Sequence, residues 1–153
     1  MDAFTIKGSH PVMEKILSIA QKVAVTDSTV LIMGESGTGK ELVARLLHFR
    51  GPRRDAPLLC TDCAQIAETP WGDKLFGEYR RTADAQGLPP ALSYLDLARG
   101  GTIVLKNVDS LPRAIQERLA LFLQHLLAQL PVGLCLGSSR CLGKQVAGSP
   151  TLL

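Results

Sequence analysis

Seven residues, Gly34-Glu35-Ser36-Gly37-Thr38-Gly39-Lys40, constrain the fold of this chain more than any others. They stand between a short apolar run, Val30 to Met33, and a stretch from Glu41 to Phe49 in which Leu42, Val43, Leu46 and Leu47 recur at helical spacing. A strand that passes through a glycine-rich turn into a helix is the setting of a P-loop. There the glycines let successive backbone N–H groups converge on phosphate oxygens, the helix N-terminus adds positive potential, and the lysine reaches the outer phosphates. The competing reading, a solvated lysine on an ordinary turn, gives no reason for a strand and a helix on either side. Glu41 takes the position at which a Ser or Thr hydroxyl usually meets magnesium, so one usual metal contact is missing from the pattern.

Around this motif, apolar runs alternate with helical periodicities. Ser9 is placed to cap a helix that carries Val12, Met13, Ile16, Ile19, Ala20 and Val23 on one face and ends near Val25. Leu58 to Thr61 reads as a second strand, and Ala64 to Trp71 as an irregular helix disrupted by Pro70. Gly77 to Pro90 has no period and reads as an exposed loop, followed by a helix over Ala91 to Ala98. Thr102 to Leu105, entered through Gly100 and Gly101, is a third strand, and Val132 to Leu136 a fourth. Between them Ile115, Leu119, Phe122, Leu123, Leu126 and Leu130 mark a long amphipathic helix. This alternation predicts an α/β fold, a parallel sheet flanked by helices, with ligands beyond the carboxyl ends of the strands. With 153 residues, 46% apolar and 20% charged, the chain is expected to form one globular domain. Residues 137–153, with Gly137, Gly143, Gly148 and Pro150, read as a tail with little structure of its own.

Composition removes several classes of function. The net charge is only +3 and the basic residues are scattered, apart from Arg50, Arg53 and Arg54 and the pair Arg80 and Arg81, so no direct DNA binding is expected. Met1 to Lys7 has no basic-then-apolar run, and Leu119 to Leu136 is broken by Gln124, His125, Gln129 and Pro131. No membrane association is expected, and a cytoplasmic location follows by default. Cys60-Thr61-Asp62-Cys63 lacks the second pair or the histidines that a zinc site needs; Cys60, Cys63, Cys135 and Cys141 are expected to be reduced, partly buried thiols.

The run Gly34-Glu-Ser-Gly-Thr-Gly-Lys-Glu-Leu-Val-Ala-Arg45, followed by His48, resembles the central AAA+ ATPase domain of sigma-54-dependent transcription activators. Further matches are Gly8-Ser9, Val25 to Ile32, Cys63-Ala64, Leu75-Phe76-Gly77, Gly100-Gly101-Thr102, Leu111-Pro112, Gln116 and Leu123-Gln124. That family also has Glu after the lysine. The similarity implies a P-loop NTPase three-layer sandwich with an AAA+-like core over residues 5–142, lacking the lid, and a tail over 143–153. It implies ATP or ADP as cofactor, bound by Gly34, Glu35, Ser36, Gly37, Thr38, Gly39, Lys40 and Glu41, with Lys106 and Asn107 facing the same site. It also implies response-regulator-like transcription regulation, with homo-oligomers or mixed rings with related AAA+ proteins as partners.

The departures from the family pattern fall on the chemistry. The family's third strand ends in Asp-Glu, the Asp holding magnesium and the Glu activating the attacking water; here the residues are Lys106 and Asn107. An ammonium in place of a metal-binding carboxylate reverses the local charge, and loss of a general base commonly removes ~10²–10⁴ in rate. Hydrolysis is therefore expected to be very slow or absent, and no catalytic residue is assigned. Two readings of Lys106 stand: it lies against a phosphate in place of the cation, giving metal-independent binding, or it is an exposed residue at the end of a strand. Asp109 is a candidate substitute carboxylate, displaced from the family's position. Where the family's sigma-contacting loop Gly-Ala-Phe-Thr-Gly-Ala follows, this chain reads Glu78 to Gly87, so contact with sigma-54 polymerase is expected to be lost. The family's γ-phosphate-sensing Asn is matched by Asp62, and its Thr-Asn sensor by Ser138-Ser139. The chain is further expected to lack the arginine fingers, the fifth strand, the helical lid and a helix-turn-helix domain. That would leave Val30 to Met33 as a sheet edge for the end of the tail to cover.

Overall fold

The computed structural model of the chain describes residues 10–65, 71–77, 92–125, 133–138 and 151–152. Five parallel strands lie in the order β2-β3-β4-β1-β5: β1 (Val30–Met33), β2 (Leu58–Asp62), β3 (Thr102–Lys106), β4 (Gly133–Ser138) and β5 (Thr151–Leu152). The helices are α1 (Pro11–Ala24), α2 (Lys40–Arg50), α3 (Trp71–Phe76), α4 (Tyr94–Leu97) and α5 (Arg113–His125), with a 3-10 turn at Val108–Ser110.

Alternation along the strands divides the core into two layers. Val30 and Ile32 of β1 and Val104 of β3 pack with Ala20 and Ala24 of α1 and with Val43, Ala44, Leu46 and Leu47 of α2. Their neighbours Leu31, Ile103 and Leu105 face the other way, onto Leu75, Ala98, Val108, Leu111 and Leu119. A sheet sandwiched in this way is buried on both faces, which is why its strands read as continuous apolar runs.

Several boundaries differ from the sequence expectation, each for a local reason. The first helix is capped by His10, whose Nδ1 accepts from the Val12 N–H at 3.3 Å, because Pro11 fits the first helical position, where its missing N–H goes unneeded; Ser9 lies outside the described residues. Of the helix expected over Ala64 to Trp71, residues 66–70 lie outside the described residues; Ala64 and Gln65 form a turn, and Trp71 belongs to the helix Trp71–Phe76. The helix expected over Ala91 to Ala98 is one turn, Tyr94–Leu97, fixed by a capping box in which Ser93 Oγ accepts from the Asp96 N–H at 3.1 Å. Gly137 and Ser138, expected in the tail, extend β4, which packs in register beside β1. The end of the tail covers the β1 edge as expected, and it does so as a short fifth strand: Thr151 and Leu152 pair with Val30 and Leu31. The expected exposed loop lies, beyond Gly77, mostly outside the described residues, as do Leu126, Leu130 and Ser139.

Candidate functional site

β1 delivers the chain to the carboxyl end of the sheet, and residues 34–39 turn it into α2. The turn depends on two glycines in the left-handed region, Gly37 at φ 80° and Gly39 at φ 86°, the latter forming the N-cap of α2. Thr38 fastens the loop to itself, its hydroxyl donating to the Glu35 carbonyl at 2.7 Å. Glu35, Ser36, Gly37 and Thr38 are exposed, whereas Gly34, Gly39 and Lys40 are half-buried beneath them. The Lys40 ammonium folds back over the loop and donates to the carbonyls of Gly34 at 2.7 Å and Glu35 at 2.6 Å. The result is a concave backbone turn at a helix N-terminus with a cation seated in it, the geometry of an anion site.

The expected partners of this loop lie at the ends of β2 and β3, and they pair differently from what the residues suggested singly. Lys106 donates to Glu41 Oε2 at 3.1 Å, while Glu41 Oε1 accepts from Arg45 Nη2 at 2.8 Å. Glu41 is thus shared between two cations, and its carboxyl lies below the usual carboxylate range, first because of Arg45 and then because of Lys106. Neither expectation for Lys106 described this arrangement: its partner is a carboxylate on the helix that follows the loop. Side chains of Lys106 and Glu41 keep 35% and 38% of their exposure, so the pair is open to competition from solvent or from another anion.

Asn107 follows directly and adopts φ 53°, the left-handed conformation that Asn tolerates better than most residues. Its Nδ2 donates to Asp62 Oδ1 at 2.8 Å, and the same oxygen accepts from the Ala64 N–H at 3.0 Å. β2 and β3 meet in register at Asp62 and Lys106, which places both polar pairs on one rim beside the loop. The residues of these contacts stood out in the sequence, but their pairings did not. Glu41 faces an ammonium where the family has a carboxylate, and Asp62 and Asn107 exchange the acid and the amide that the family places on the opposite strands. Asp109 lies in the 3-10 turn that follows.

These groups do not suit a divalent cation. Magnesium takes hard oxygen donors. The end of β3 supplies an ammonium and an amide in place of carboxylates, and both oxygens of Glu41 are engaged by Lys106 and Arg45. Among the described residues no group of three or more His, Cys, Asp or Glu could hold a metal, and Cys60 and Cys63 are free thiols. Among them, too, no helix is long and apolar enough to cross a membrane.

Comparison with known proteins agrees with this geometry. Residues 6–133 match the sigma-54 interaction domain. The chain is 38% identical over 123 residues to a Nif-specific regulatory protein of Azorhizobium caulinodans, covering 80% of this chain and 20% of that protein. It is 38% identical over 124 residues to the DNA-binding transcriptional regulator NtrC of a Bradyrhizobium species, covering 81% of this chain and 26% of that one. The chain thus spans about a fifth to a quarter of the length of these relatives. Crystal structures of NtrX from Brucella abortus superpose with a TM-score of 0.67 in complex with ATP, at 27% identity over 88% of this chain and 32% of that one. In complex with ADP the TM-score is 0.69, at 26% identity over 91% and 32%.

Proposed function

The chain belongs to the sigma-54 interaction domain family, and from that premise we propose that it is an AAA+ nucleotide-binding core acting in sigma-54-type transcription regulation. It binds ATP or ADP through residues 34–40 and hydrolyses ATP very slowly or not at all. The observation that carries this is the state of the loop: two left-handed glycines hold the turn, and Lys40 is already seated within it. Binding therefore needs little rearrangement, and preorganisation of this kind lowers its entropic cost. The solved ATP and ADP complexes of NtrX support the choice of nucleotide. Slow turnover follows from the rim, where Lys106 and Asn107 offer neither a carboxylate to hold a metal nor a general base.

A second reading is favoured by the same rim. With its charged groups paired to one another, the domain is a non-catalytic nucleotide-binding interaction protein that joins homo-oligomers or the rings of related AAA+ proteins and modulates them in the cytoplasm. Loss of the sigma-contacting loop sequence at 78–87 points the same way, since a subunit that cannot engage the sigma factor acts through its neighbours.

Calorimetric titration with ATP and with ADP, followed by phosphate release on the same sample, tests both. Saturable binding that Lys40→Ala abolishes, with turnover near background, supports the proposal. Lack of binding in either titration removes it, and appreciable turnover removes the impaired-hydrolysis part.

A further inference from the structure

We infer that the ligand of this site is a nucleoside polyphosphate free of metal, and that Lys106 moves from Glu41 to the outer phosphates when it binds. The inference rests on the nucleotide-binding reading above and concerns the form in which the nucleotide is taken. In solution the outer phosphates of ATP are neutralised by a divalent cation, so a protein that takes the metal complex must offer oxygens to that cation. Here the end of β3 carries an ammonium instead. Its ammonium lies 3.1 Å from the carboxylate of Glu41, the first residue after Lys40, so one glutamate side chain links it to the helix start on which phosphates are cradled.

Charge accounting gives the direction. With no ligand present, Glu41 serves as counterion to Lys106 and Arg45 together. Arg45 remains on Glu41 when Lys106 leaves, so the exchange does not strand the carboxylate, and Lys106 exchanges one anion for a more highly charged one. If the nucleotide arrives with magnesium, the same ammonium faces a dication, no carboxylate at the end of β3 balances it, and the phosphates are already neutralised. Magnesium therefore competes with Lys106 for the nucleotide. A diphosphate chelates magnesium less strongly than a triphosphate, so in millimolar magnesium the site discriminates in favour of ADP.

The test is titration of the whole chain with ATP in EDTA and again in excess magnesium. An exposed ion-pair exchange of this kind should make binding up to about fivefold tighter without the metal. Lys106→Asp should reverse the order, tighter with magnesium than without. Lys106→Met, which cannot misfold through added charge, should bring the two affinities together. Glu41→Gln should raise affinity for metal-free ATP by releasing Lys106. Wild-type binding that is equal or tighter with magnesium overturns the inference while leaving the nucleotide reading intact. Absence of binding under both conditions overturns both.

Discussion

Replacing Asn107 by Asp probes the contact that joins β2 to β3 at the rim of the site. The side chain keeps its shape, and a carboxylate oxygen takes the place of an amide nitrogen that lies 2.8 Å from Asp62 Oδ1. At that separation two unit charges repel by about 1.5 kcal/mol in bulk water and about 6 kcal/mol at an effective dielectric constant near 20. Protonation sets a ceiling, because neutralising one carboxyl at pH 7 against an ordinary value near 3.9 costs about 4 kcal/mol. Adding a lost hydrogen bond worth about 1 kcal/mol, Asn107→Asp should destabilise the fold by roughly 2 to 4 kcal/mol at pH 7. With a urea dependence of about 2 kcal/mol per molar, the unfolding midpoint falls by about 1 to 2 M. The variant's folded pair holds a proton to higher pH than the unfolded chain does, so the penalty is absent below about pH 4 and grows as pH rises above it. Urea unfolding of wild type and variant from pH 4 to 8 reads this directly. Adding Asp62→Asn should recover most of the loss at pH 7, since an amide again faces a carboxylate across the two strands. An equal loss at pH 4 and pH 7, or no recovery in the double variant, would refute an electrostatic origin.

Three further outcomes follow from the core. His48 is 3% exposed, its Nδ1 lies 3.0 Å from Thr102 Oγ1, its Nε2 has no hydrogen-bond partner among the described residues, and burial holds its pKa below the usual histidine value. The unfolded chain then takes up a proton below about pH 6.5 that the folded one does not, so stability falls from pH 7.5 to 5.5 by up to about 1.4 kcal/mol; His48→Gln should flatten that slope in urea melts. Burial pushes the Cys63 thiol up to about 12, so in the native protein at pH 8 iodoacetamide should label the partly exposed Cys60 well before Cys63, as peptide mapping by mass spectrometry would show. A Cβ on Gly101 would stand 2.0 Å from the Pro57 carbonyl oxygen, which accepts from the Thr102 N–H at 2.8 Å; Gly101→Ala should therefore cost about 2 to 3 kcal/mol, and a melting temperature unchanged from wild type would count against the packing described.

Much of the fold was legible because its signals are local. Val30 to Met33, Leu58 to Thr61 and Thr102 to Leu105 are apolar beyond what a one-sided strand needs, and sheets covered on both faces produce that pattern. Glycines at 37 and 39 identified the loop for the same reason that they build it, since few other residues sit at those backbone angles. Element ends were less legible. Pro11 and Ser93 carried the starts of α1 and α4, whereas the Ser9 cap placed the first start one residue too early and the apolar pattern from Ala91 placed the second three residues too early. The two-residue β5 had no periodicity to display, and its pairing with β1 depends on tertiary position. The rim was half legible: Lys106, Asn107 and Asp62 each stood out as departures. Their pairings did not, because contacts such as Glu41 with Lys106, 65 residues apart, arise only once the sheet has brought the ends of β2 and β3 beside the start of α2.

That separation explains how the fold persists with an altered chemistry. Ile103, Val104 and Leu105 are almost completely buried and divide between the two core layers, and the β2–β3 register is carried by backbone bonds. Lys106 and Asn107 begin where that burial ends. A substitution there takes nothing from the hydrophobic term, which dominates stability, and alters only polar groups at the rim. Those groups still need partners, because a half-buried charge or amide left alone is costly. The compensation is visible in the pairings: the ammonium that arrives on β3 is met by Glu41, and the amide that arrives beside it is met by a carboxylate on β2. Polar satisfaction of the rim and retention of the loop are thus compatible with a lysine and an asparagine at the end of β3. Restoring the family's carboxylates on β3 alone would break both pairs. Asp and Glu at positions 106 and 107 should regain turnover only when Asp62 is changed to Asn in the same chain, so that the incoming Glu is not set against a second carboxylate.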